Sequence, residues 1–100
     1  MTELNRNERL SIANTATIVS KDKVNTATER INIIVINTSV SAVITIAIDE
    51  EAKAGQGIVL NPGGVWSDNS DGNYKPTQSM ISAISDLASA SYLSIQERSR

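Results

Sequence analysis

The chain has 100 residues, nine of them basic and eleven acidic, for a formal charge of -2, and it contains neither cysteine nor histidine. That length suits one core, burying roughly two-thirds of the surface of the unfolded chain. The composition excludes disulfides, thiolate chemistry and thiolate metal sites, and the scattered charges form no basic stripe to neutralise nucleic-acid phosphates or an anionic membrane surface.

The apolar residues are mostly isoleucine, valine and alanine, without phenylalanine, and β-branched side chains favour strands. Residues 1–9 are polar, with Glu3, Arg6, Glu8 and Arg9 of mixed sign, and have no apolar run that would make a signal peptide or membrane anchor. Such a segment cannot offset the roughly 1 to 2 kcal/mol per residue needed to fix its backbone, so it reads as a flexible arm before a single domain at 10–100. Leu10, Ile12, Ala16 and Ile18 fall on alternate positions and predict a first strand with one buried face.

The run 30–37 (RINIIVIN) is apolar on both parities and reads as a central strand covered on both sides. Asn37, Thr38 and Ser39 match a glycosylation sequon but read as a turn, leading through a hairpin into 42–48, where Ala42, Ile44, Ile46 and Ile48 point inward. Residues 49–57 read as a loop, 58–60 as a short strand, Asn61-Pro62-Gly63-Gly64 as a turn, and 65–68 as a strand followed by the turn 69–73. Pro76 belongs at an edge or strand start. In the last part, Met80, Ile84 and Leu87 have helical spacing, but the serines between them favour two strands, 80–85 and 92–97. About seven short strands at this spacing indicate an all-β fold, a small antiparallel β-sandwich or barrel of jelly-roll or immunoglobulin-like type.

The chemistry-bearing residues are sparse. Ser67 to Gly72 looks loosely like a calcium loop, but a hand-type loop wants Asp first and Glu twelfth, where Ser67 and Gln78 stand, so an Asp-Gly turn is the reading. Asp49, Glu50 and Glu51 read as a solvated acidic run. Without histidine, cysteine or a nucleophile elbow, no catalytic, metal or cofactor site is assigned. The aromatics are Trp66, Tyr74 and Tyr92, too few for base or sugar stacking, and Trp66 reads as a buried anchor.

In chain order the motifs are Ala-Thr-Ile-Val in the first strand, Arg30-Ile-Asn-Ile-Ile-Val-Ile-Asn-Thr-Ser, Ile44-Thr-Ile leading to Asp49, Gly57-Ile-Val-Leu-Asn-Pro-Gly-Gly, a tyrosine, Ile81-Ser-Ala-Ile-Ser, and Leu93-Ser-Ile-Gln-Glu. That order, from about Leu10 to Glu97, resembles the small β-sandwich virion proteins of tailed phages and related viruses. The resemblance departs at Tyr74, where Lys-Pro-Thr-Gln follows in place of a short glycine turn. It implies a non-enzymatic structural protein of the capsid surface, a decoration or cement protein or head-fibre base, with the major capsid protein and its own copies as partners, a trimer being expected. Neither nucleic acid nor membrane is an expected partner. The interface candidates are Leu4, Arg6 and Arg9 in the arm and Trp66, Tyr74 and Tyr92. The alternative is a receptor-binding fibre module using loops 49–57 and 69–75, since binding residues collect on loops of a rigid scaffold.

Overall fold

The computed structural model describes residues 4–24, 26–88 and 91–100. Among these residues, eight strands run in chain order: β1 Leu4–Ser11, β2 Thr17–Ser20, β3 Arg30–Asn37, β4 Ile44–Ile48, β5 Ile58–Leu60, β6 Val65–Asn69, β7 Ile81–Ser85 and β8 Tyr92–Ser99. They form two four-stranded antiparallel sheets, β1-β8-β3-β6 and β2-β7-β4-β5. First pairs with last, second with seventh, third with sixth and fourth with fifth, so the chain is one long hairpin rolled over itself into a jelly roll.

The core lies between the sheets. Ile33, Val35, Leu93 and Ile95 project from the first sheet against Ile44, Ile46, Ile81 and Ala83 from the second, all essentially without solvent contact. Branched aliphatic side chains at every second position are what a strand with one buried face requires. The second sheet is also covered outside. Loop 49–57 folds over it, burying Ala52, with Gly55 N–H donating to Thr45 Oγ1 at 3.0 Å and Ser82 Oγ donating to Glu50 O at 2.6 Å. Gly57 permits this return, because a Cβ there would stand 2.6 Å from the Ile46 carbonyl oxygen.

Several expectations are corrected. Residues 4–9 are not a free arm: β1 pairs with β8 in unbroken register from Leu4–Ser99 to Ser11–Tyr92, and residues 1–3 lie outside the described residues. A ladder along β8 supplies the ordering that the segment's own side chains do not. The expected first strand is two, since the chain leaves β1 and enters the other sheet at β2. A register shift between Ile18 and Ser20 there turns Val19 and Ser20 inward and leaves Ile18 54% exposed, the reverse of the alternation read for Ile18. No hairpin joins β3 to β4, which belong to opposite sheets. β3 is central in its sheet, but only one of its faces is fully buried, with Ile34 and Ile36 half-buried on the other. Trp66 packs against the core yet is only half-buried, because β6 is an edge strand.

Candidate interaction surface

Buried polar side chains close both ends of β3. At its start, the Arg30 side chain is wholly enclosed between the sheets, and all five of its guanidinium donors are used. Nε donates to Glu97 Oε2 at 2.7 Å, Nη2 to Ser20 Oγ at 2.6 Å and to Lys21 O at 3.0 Å, and Nη1 to Ser79 O at 3.1 Å and to Thr77 O. The side chain of Gln78 serves the Arg30 backbone as a neighbouring strand would, accepting from its N–H at 2.7 Å and donating to its carbonyl at 2.9 Å. Glu97 also accepts from Ser20 Oγ on Oε2 and from Arg6 Nη1 at 3.2 Å on Oε1. Burial pushes the Glu97 carboxyl up, but the hydrogen bonds from Ser20 and Arg30 and the charges of Arg30 and Arg6 outweigh it and hold the group below the ordinary carboxylate range.

At the other end, Asn37 is fully buried. Its Nδ2 donates to Ala42 O and Leu60 O, both at 2.8 Å, and its Oδ1 accepts from Ser39 N–H at 3.0 Å. The sequon asparagine is therefore the pin of the turn it was read as. These two clusters lock the sandwich at both ends of β3.

The outer face of the β1-β8-β3-β6 sheet is the broader open one. Register places Asn7, Gln96, Ile34 and Ser67 in one row across it, and Arg9, Ser94, Ile36 and Val65 in the next. Val65 is 57% exposed, and beside this row the Arg9 guanidinium lies 3.9 Å from the centroid of the Tyr92 ring. No carboxylate is among the described residues on this face. The surface is thus a grid of amides and hydroxyls around an aliphatic centre, with a stacked Arg-Tyr pair at one corner and Arg98 in the row on the other side.

The six sequence candidates fall in four places. Arg9 and Tyr92 share this face. Arg6 lies on the opposite side of β1, in the clasp with Glu97, and the backbone of Leu4 opens that strand. Trp66 faces the core, while Tyr74 is exposed at the turn after β6, where its hydroxyl donates to Asp68 and is held above the ordinary phenol range by that bond. The other Asp68 oxygen accepts from Thr77 N–H at 2.8 Å, so this carboxylate of the segment 67–72 fastens the loop. Sequence reasoning missed Ile34 and Ile36 as surface residues and Arg30 as a core residue.

No protein-family model and no curated protein matches the chain. Among solved structures, it is similar to a chain in the acidic stable capsid structure of Helicobacter pylori bacteriophage KHP30. The TM-score is 0.52 at 9% sequence identity, over 99% of this chain and 87% of that one. The two chains share a fold.

Proposed function

We propose that this protein is a non-enzymatic virion component that decorates or cements a phage capsid from the outside, as a homo-oligomer. The observation that carries the reading is the likeness of fold, over nearly the whole chain, to a chain of a phage capsid structure. The sequence motifs lead to the same reading independently. The outer face of the β1-β8-β3-β6 sheet is the proposed capsid contact. Ile34 and Ile36 supply apolar area at its centre, the amides and hydroxyls around them pair with backbone or polar groups of a shell, and the Arg9-Tyr92 pair is a rigid anchor at the rim. In the alternative, a receptor-binding module, loop 49–57 would bind through its exposed Asp49, Glu50, Glu51 and Lys53, since Ala52 and the Gly55 N–H are held on the protein's own sheet.

Pelleting with bare capsids of the virus that encodes the chain tests the assignment. The protein should cosediment to a saturating ratio, and Ile36→Asp, which places a carboxylate at the centre of the proposed contact, should abolish cosedimentation without unfolding the domain. Equal binding by Ile36→Asp would move the contact elsewhere, and no binding by the unaltered protein would remove the reading.

A further inference from the structure

β1 is an edge strand of eight residues, without proline and without a bulge in its pairing to β8. Proteins blunt such edges with proline, bulges or charge, because their outward N–H and C=O groups are a template for another strand; β1 has only charge, at Arg6, Glu8 and Arg9, and that charge decides which strand it accepts. The direction of those groups follows from the ladder. Ile12 N–H donates to Ser91 O at 2.9 Å, while Tyr92 O is turned the other way and accepts from Thr38 N–H. By antiparallel alternation, the backbone groups of Arg6, Glu8 and Leu10 therefore point to β8, and those of Asn5, Asn7 and Arg9 point out of the free edge.

The sequence of that edge, Leu4-Asn5-Arg6-Asn7-Glu8-Arg9-Leu10, is complementary to itself when reversed about Asn7. We propose that β1 pairs antiparallel with β1 of a second copy across a two-fold axis at Asn7. Asn7 then exchanges both backbone hydrogen bonds with the Asn7 of the second copy, Asn5 does so with Arg9, and the Arg6 guanidinium of each copy stands opposite the Glu8 carboxylate of the other. The alternatives are unfavourable. With the same backbone groups, shifting the axis to Arg6 sets two guanidinium groups face to face, and shifting it to Glu8 sets two carboxylates face to face; like charges directly opposite destabilise a strand pair.

Arg6 supplies a second, independent observation. Its Nη atoms bond Glu97 and Val19 O, while its Nε, buried without a hydrogen-bond partner, has an ion pair with its own Glu8 at 3.6 Å that is too long for a hydrogen bond. The pairing sets the Glu8 carboxylate of a second copy beside the same guanidinium, so the two Arg6-Glu8 pairs join across the axis. The groove beside β1, floored by Leu10, Ile18 and Val19, would be roofed by the same contact, covering Ile18. An isologous contact of this kind closes at two copies, unlike the trimer expected from the sequence.

The test uses the full chain and no capsid, so its outcome is separate from the capsid assignment. Sedimentation equilibrium should give twice the chain mass, and Glu8→Arg should raise the dimer dissociation constant about tenfold or more with the far-ultraviolet circular dichroism spectrum unchanged, Glu8 being exposed. Register is read by cross-linking, since the chain has no cysteine of its own. Asn7→Cys should form a disulfide dimer under mild oxidation, its Cα separation of about 5.5 Å in a hydrogen-bonded pair matching disulfide geometry. Asn5→Cys should not, its two copies lying about 13 Å apart along the strands. A monomer mass at millimolar protein, a trimer, or equal cross-linking at the two positions would overturn the proposal.

Discussion

Arg30 and Glu97, distant in sequence, meet at 2.7 Å inside the sandwich with side chains 0% and 4% exposed. A buried ion pair is no stabiliser by default, because desolvating two charges can cost more than their attraction returns. Here the cost is met by completeness: every donor of Arg30 is used, and Glu97 is shared among Arg30, Ser20 and Arg6. The clasp joins β1, β8 and β3 of one sheet to β2 of the other, so it fixes how the sheets are stacked at that end.

Removing one partner should therefore hurt far more than removing both. Glu97→Ala should lower stability by about 3 to 5 kcal/mol in urea unfolding by stranding the Arg30 charge, whereas the double variant Arg30→Met, Glu97→Leu should recover most of that loss. Equal losses in the single and double variants would mean that the pair is not energetically coupled.

The lowered Glu97 value also gives acid sensitivity a sign. A carboxyl held below its ordinary value of 4.5 binds its proton more weakly in the folded than in the unfolded chain. Its contribution is complete above that ordinary value and is lost as pH falls through the lower folded value. The thermal midpoint should drop on acidification below the ordinary carboxylate range, and Glu97→Gln should flatten that part of the profile.

Truncation through Arg9 distinguishes a strand from an arm. Deleting it strips β8 of a neighbour and removes Arg6 from Glu97, so the thermal midpoint should fall by several degrees. An unchanged midpoint would restore the arm.

Trp66 is half-enclosed against the core. Its emission should be only moderately blue-shifted, and Trp66→Ala should cost about 2 kcal/mol, below the range of about 3 to 5 for a fully buried aromatic. Solvent-like emission with no loss of stability would detach it from the core.

Much of this fold is legible where one parity is aliphatic. The strand boundaries 30–37 and 58–60 coincide with β3 and β5, and the last two strands agree with β7 and β8 to within two residues. β1 is hidden because its inward positions Arg6 and Glu8 carry charge where a half-buried strand shows apolar residues, and the partner that makes Arg6 acceptable, Glu97, is 91 residues away. Arg30 is obscure for the same reason: an arginine at a strand start reads as solvated until its five acceptors are assembled from distant segments. The change of sheet between β3 and β4 leaves no local mark, since Asn37-Thr38-Ser39 serves a crossing as well as a hairpin. Arg9 and Tyr92 stand out separately in the sequence, and only the β1-β8 register shows that they stack.

If the protein decorates a capsid through the outer face of the β1-β8-β3-β6 sheet, cryo-electron microscopy of bare particles incubated with it should show added density at repeating lattice positions on the outer surface, fitted by the domain with Ile34, Ile36 and Tyr92 turned toward the shell. Particles without added density at saturating protein, or domains bound with that face turned to solvent, would contradict it.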